Sequence, residues 1–212
     1  MPRRAPATRP RKNARQERSR ATVDALLAAT ARILVRDGYD GTSTNKVALA
    51  AGVSIGSLYQ YFPSKEALVA AVIEQHTGEM MALVVGALAR VADAPVTEAA
   101  PELVRVMIEA HRVDPTLHRV LVEQIPRVGA MERVERLDAE AVVLVRAYLE
   151  RHRDEIDVAD LELAALLATT TVEAMTHVAV LRRPELLADP RFVDEVATLV
   201  LRYLGAGPAR RC

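Results

Sequence analysis

Residues 42–68, TSTNKVALAAGVSIGSLYQYFPSKEAL, constrain the fold of this chain more than any other segment. Ala48 is small enough for a second helix to cross close to the helix that carries it. Four residues on, Gly52 stands where the first helix must end and the backbone must turn left-handed, a conformation glycine adopts without a Cβ penalty. Val47, Ala51, Val53 and Leu58 are the apolar positions that hold the two helices together. Ser43 caps the first helix, which runs to about residue 51, and Pro63 ends the second, over about 55–61. This spacing predicts a helix-turn-helix, a unit that sets its second helix in the major groove of DNA.

The rest of the chain also reads as helix. From Val23, residues Leu26, Leu27, Thr30, Ile33 and Leu34 form a helical stripe that Gly38 ends. Ser64 caps a fourth helix reaching about residue 90, before the breaker Asp93-Ala94-Pro95. Further helices are predicted over about 98–112, 116–124, 131–153, 159–181 and 191–204, separated by Asp-Pro, Arg-Pro and Gly breaks. Half of the residues are hydrophobic, but only 3% are aromatic and Trp is absent, which disfavours an aromatic-rich sandwich or barrel. No alternating strand pattern and no repeat period occur. The fold class is therefore all-α.

Residues 163–181 are apolar enough to mimic a membrane span, but they contain Glu173, His177 and several threonines, which are costly in lipid. A helix buried on most of its circumference within protein is the expectation, with no membrane partner. The N-terminus is basic without a following apolar stretch, so no secretory signal is read. The single Cys212 cannot form an internal disulfide, which suits a reducing cytoplasm.

Charge is unevenly distributed. Residues 1–76 hold 12 Lys and Arg against 6 Asp and Glu, whereas 77–212 hold 16 against 22. A basic half beside an acidic half is the footprint of a nucleic-acid-binding domain joined to something else. The expected organisation is a disordered basic arm over 1–15, a helix-turn-helix domain over 16–76 and a helical domain over 77–212. The arm, with Arg3, Arg4, Arg9, Arg11, Lys12 and Arg15, is either a solvated tail or a minor-groove and phosphate contact.

The run from Gly52 to Leu68 resembles the DNA-binding domain of the TetR family of bacterial transcriptional regulators, whose pattern is G-V-S-x-G-[ST]-L-Y-x-[YH]-F-x-[SN]-K-x-x-L. Every fixed position is present. The resemblance implies double-stranded DNA as partner, with Tyr59, Tyr61 and Lys65 on phosphates, which position the protein without reading sequence. Within the recognition helix, Gly56 lets backbone approach DNA and Ser57 offers a small hydroxyl. Ile55 suits a thymine methyl, and Gln60 can pair with adenine. Ser43 and Thr44 open the preceding helix, where N–H groups and a hydroxyl favour a phosphate, and Asn45 and Lys46 reach the groove rim. The plainer alternative is that the tyrosines pack and Lys65 is solvated.

In the C-terminal half, Glu173 and His177 share a helix face, with Thr170 one turn earlier. They read as polar anchors of an apolar effector pocket, as a Glu–His pair inside a bundle, or as two metal ligands lacking a third. Met107 and His111 are further pocket candidates, although His111, like His118 and His152, also reads as a lone histidine. No metal site and no cofactor are assigned, and no catalytic motif occurs.

The order of these helices resembles the TetR effector and dimerisation domain. That implies a homodimer seamed by the last two helices, through Phe192, Val196, Leu199, Val200 and Tyr203. The implied function is a repressor on a palindromic operator, released by a small apolar effector. The alternatives are a constitutive DNA-binding protein without effector, or an all-α cytoplasmic enzyme.

Overall fold

A computed structural model describes residues 12–206. Residues 1–11 and 207–212, with most of the basic arm and Cys212, lie outside the described residues, and of residues 12–18 only the backbone is described. The described residues form helices and turns throughout. They divide into two compact units at Val72 and Ile73, against the expected boundary at 76 and 77.

In the first unit, α1 (Lys12–Gly41) takes in residues 12–15, which the sequence places in the arm. Its backbone leaves helical geometry at Gly38 (φ 70°, ψ 179°), where the sequence puts the helix stop, and closes with one more turn. Next come α2 (Thr44–Ala51), α3 (Ile55–Tyr61) and the start of α4 (Lys65–Arg90). Serines hold these junctions: Ser43, Ser54 and Ser64 accept the backbone N–H of Lys46, Ser57 and Ala67 at 3.3, 3.1 and 3.2 Å. Gly52 is left-handed (φ 66°, ψ 29°). Its N–H reaches the Leu49 carbonyl at 3.2 Å, and the Val53 N–H reaches that of Ala48 at 2.9 Å, which together make a Schellman cap. Leu26, Ala29, Ile33, Val47, Ala48, Leu58 and Leu68 form one core, with Ala51, Val53 and Phe62 against it. Leu58 is fully buried, a contribution of about 1.5–3 kcal/mol for a side chain of this kind.

The second unit contains most of α4, then α5 (Val96–Arg112), α6 (Pro115–Gln124), α7 (Met131–Arg151), α8 (Leu161–Leu181) and α9 (Pro190–Leu204), with 3₁₀ turns at Arg153–Glu155 and Pro184–Ala188. Asp114, Asp160 and Asp189 cap α6, α8 and α9. α4 and α8 are each long and apolar enough to cross a membrane by length and composition. In this fold α8 turns Ala164, Ala165, Ala168 and Ala179 inward, and α5, α6, α7 and α9 pack around it. Leu163, Leu166, Leu167 and Thr170 lie on its exposed face. The C-terminus of α9 docks closely, because the Asp157 N–H donates to the Leu204 carbonyl at 2.8 Å. A Cβ on the left-handed Gly205 would stand 2.8 Å from that of Asp157.

This packing corrects the expected dimer seam. Val196 and Val200 are buried within the chain's own core, and Phe192 is half-buried against the same core. The i, i+4 stripe 192–196–200 is the face that α9 turns to α5 and α8. Of the five residues expected at the seam, Leu199 and Tyr203, on the neighbouring stripe, are the exposed ones, at 50% and 40%.

Candidate nucleic-acid interface and ligand cavity

The exposed surface of α2 and α3 carries most of the residues that the sequence assigns to DNA. Ser43, Asn45, Lys46, Ile55, Gly56, Tyr59, Gln60 and Tyr61 are exposed, and Thr44 and Ser57 are half-buried. Buried Leu58 faces the core, so Tyr59 and Gln60, next in sequence, point away from it. A Cβ built on Gly56 meets nothing within 4 Å, so no packing inside the chain requires glycine there. The Thr44 hydroxyl lies 3.2 Å from that of Tyr59, which places two phosphate-binding candidates side by side.

Two lysines are held differently from the sequence expectation. Lys65 Nζ donates to the Tyr39 carbonyl at 3.1 Å and sits 4.0 Å from the centre of the Tyr39 ring. Its charge is engaged by a carbonyl and an aromatic face, so the half-buried side chain is not freely presented. Lys46 Nζ donates to Asp37 at 3.1 Å and to the Gly41 carbonyl at 2.7 Å. Arg36 and Lys46, hydrogen-bonded to Asp37, hold its carboxyl well below the usual carboxylate range.

The second unit carries two adjoining, partly open cavities, of about 90 Å³ and about 120 Å³. The first is walled by aliphatic side chains of α4, α5, α7, α8 and α9, among them Val84, Leu88, Val104, Val145, Val172 and Val200. The second is walled by α4 to α8 and mixes Met80, Met81, Leu121 and Ile125 with Asp138, Glu173 and histidines. Met107, Ala141 and Thr169 line both.

Of the residues predicted for the effector, Met107, His111, Glu173 and His177 line the second cavity. Thr170 does not: it is exposed on the outer face of α8. Thr169 takes its place, because a residue four before Glu173 lies closer to the same helix face than one three before. The Thr169 hydroxyl is buried without a hydrogen-bond partner in the protein. No hydrogen bond or ion pair joins Glu173 to His177 among the described residues, so the expected structural pair is not formed. Burial, followed by the nearby Asp138 carboxylate, raises the Glu173 pKa, and burial also raises that of Asp138.

The histidines are the largest departure from the sequence reading. His111 and His118 are not isolated. With His76 and His177 they converge in the second cavity from α4, α5, α6 and α8. Ring centres lie 4.4 Å apart for His111 and His118, 5.2 Å for His118 with His177 and with His76, and 5.7 Å for His111 and His177. Burial lowers the pKa of all four, that of His111 to about 4, so the rings are neutral near pH 7. No sequence spacing links residues on four helices.

Comparison with known proteins accords with this arrangement. The family description "Bacterial regulatory proteins, tetR family" matches residues 26–72, and "Tetracyclin repressor-like, C-terminal domain" matches residues 95–204. No curated protein matches the chain. Among solved structures, a bacterial regulatory protein in the tetR family from Rhodococcus RHA1 is similar at 19% identity, with TM-score 0.69, over 88% of this chain and 98% of that one. The fatty acid degradation regulator FadR from Bacillus halodurans is similar at 21% identity and TM-score 0.68, over 89% and 96%. The SmeT–triclosan complex is similar at 23% identity and TM-score 0.65, over 86% and 91%.

Proposed function

Because the chain belongs to the TetR family of bacterial transcriptional regulators, we propose that it is a cytoplasmic, ligand-responsive repressor that binds a palindromic operator as a homodimer and leaves it when a small, largely apolar effector binds. The observation that carries the effector reading is the pair of adjoining cavities in the second unit, aliphatic at one end and polar at the other. Burial of an apolar ligand there would supply most of the affinity, and a few polar groups would set its orientation. The Thr169 hydroxyl, Glu173 and His177 are those groups. SmeT, similar in fold, carries triclosan, and FadR is a regulator of fatty acid degradation; both support the reading of an apolar effector here.

The exposed α3 surface supports the DNA reading, with Ile55, Ser57 and Gln60 as base readers and Thr44, Tyr59 and Tyr61 as phosphate contacts. The dimer reading rests on the apolar residues that α8 and α9 leave exposed: Leu163, Leu166, Leu167, Leu199 and Tyr203. α4 runs unbroken from Lys65, in the first unit, to Arg90, past cavity-lining Ile73, His76 and Val84. An effector that shifts α4 is thereby linked to DNA affinity through differential binding to two states.

The test begins with selection of bound DNA from a random pool, which should return an inverted repeat. Release of that operator is then titrated with acyl compounds and apolar phenols. A Thr169→Val protein should need more of the active compound for half-release while binding operator alone as the wild type does. Operator binding that no apolar compound affects would instead identify a constitutive DNA-binding protein.

A further inference from the structure

We propose that His111, His118 and His177 form a binding site for one divalent transition-metal ion of the zinc type. One ring nitrogen from each comes within 4.8 Å of the others. His111 and His118 are buried, and His177 is half-buried at the edge of the group. Tetrahedral coordination by imidazole at about 2.0–2.1 Å sets ligand nitrogens about 3.3 Å apart, so closure needs ring movements of about 1.5 Å or less.

The hydrogen bonding favours ligation. His111 Nδ1 faces the Met107 carbonyl at 2.8 Å and must carry its proton there. That leaves Nε2 as the lone-pair nitrogen, and it is buried with no hydrogen-bond partner in the protein. His118 repeats the pattern in the tautomer whose Nδ1 donates to His76. Its Nδ1 lies 2.9 Å from His76 Nε2, and its own Nε2 is also buried without a partner. A ring tied through one nitrogen, with the other held as an unshared lone pair, is how metal-binding imidazoles are oriented by their outer partners. A buried polar atom without a partner is otherwise costly. Two such atoms on neighbouring rings, with a third imidazole beside them, are satisfied together by one cation.

The donor set identifies the class of ion. Neutral imidazoles suit zinc, cobalt, nickel and copper, whereas magnesium and calcium require oxygen. His76 acts as a positioning residue that fixes the His118 ring. Three protein ligands leave a fourth position for water or a donor atom of another molecule. The proposal uses the same cavity as the effector reading, but it stands on the ring geometry and is measured without DNA or effector.

The experiment uses tag-free, full-length protein, freed of metal by chelator and dialysis and titrated with Co2+. The wild type should develop the visible absorption bands of tetrahedral Co2+ at one ion per chain, and Zn2+ should abolish them by displacement. His118→Gln and His177→Gln, with folding checked by circular dichroism, should each lower Zn2+ affinity at least tenfold. His76→Gln should lower it about 10- to 100-fold while leaving one site per chain. A wild type without these bands that retains no Zn2+ after dialysis overturns the proposal on its own, whatever the variants do. Bands that persist unchanged in folded His118→Gln and His177→Gln proteins overturn it equally. Operator release by an organic effector, measured with chelator present, would survive either failure, so the two readings fail separately.

Discussion

The hydroxyls of Thr44 and Tyr59 lie 3.2 Å apart and join the first turn of α2 to the exposed face of α3. A phosphate oxygen set to one side of the pair can accept from both once the two hydroxyls turn from each other. Tyr59→Phe and Thr44→Ala should each weaken binding several-fold on every DNA sequence alike. Neither removes a charge, so the slope of log K against log salt should not change. Gln60→Ala should instead cost about 1–3 kcal/mol at one base position only. Fluorescence anisotropy on single-base operator variants separates the two behaviours. Equal losses at all positions for Gln60→Ala would remove its role as a base reader.

Lys65 provides a stability prediction. Its contact with the Tyr39 ring is worth about 0.5–1 kcal/mol at an exposed site. The hydrogen bond to the Tyr39 carbonyl adds about 1 kcal/mol. Lys65→Met, which keeps the aliphatic stem, should therefore lower unfolding free energy by about 1–2 kcal/mol in urea denaturation. An unchanged midpoint would return Lys65 to a purely DNA-facing role.

The α8 and α9 surfaces predict opposite outcomes for neighbouring substitutions. Leu166→Glu with Leu199→Glu alters exposed residues only, so it should yield folded monomers by sedimentation. Val196→Glu buries a carboxylate in the core and should give unfolded or insoluble chain. A soluble dimer from the Leu166, Leu199 double variant would move the seam elsewhere.

His152 and Glu155 make stability depend on pH. His152 Nδ1 faces Glu155 at 2.9 Å and Nε2 faces the Ala92 carbonyl at 3.0 Å, so an acceptor at each nitrogen favours the protonated ring. The bond to Ala92, then that to Glu155, raises the His152 pKa. The Val96 N–H, then His152, lowers that of Glu155. The histidine contribution is complete below its unfolded value of about 6.5 and is lost as pH rises through the raised folded value. The glutamate contribution is complete above its unfolded value of about 4.5 and is lost as pH falls through the lowered one. The difference in melting temperature between wild type and His152→Gln should therefore be larger near about pH 6 than near about pH 8.5. A difference that does not narrow on raising the pH would mean a neutral ring.

The helices were legible because capping and breaking are local. Asp114-Pro115, Asp189-Pro190 and the serines before α2 and α4 set element ends within about two residues. The helix-turn-helix was legible because Ala48, Gly52 and Leu58 lie within a dozen residues and their offsets encode the packing. Helical phase was harder. Thr170 and Thr169 differ by one position but by about 100° around α8, enough to exchange cavity for surface. Likewise, the apolar stripe 192–196–200 shows that α9 is amphipathic without showing which neighbour it meets. The histidine cluster was illegible because its members come from four helices, and proximity there is a product of tertiary packing.

Ala141 is the smallest of the three residues that stand between the two cavities, and Met107 and Thr169 come to it from two other helices. A single methyl group is thus all that α7 contributes to the wall shared by the aliphatic cavity and the histidine-lined one. Under the effector reading proposed above, length discrimination is thereby separated from chemical discrimination. A bulkier residue at position 141 would shorten the molecules the domain can take without changing the groups that greet them. Chains of this architecture can diverge in the compounds they sense by changing one such doorway, while the helix ends, the core and the DNA-facing surface stay as they are.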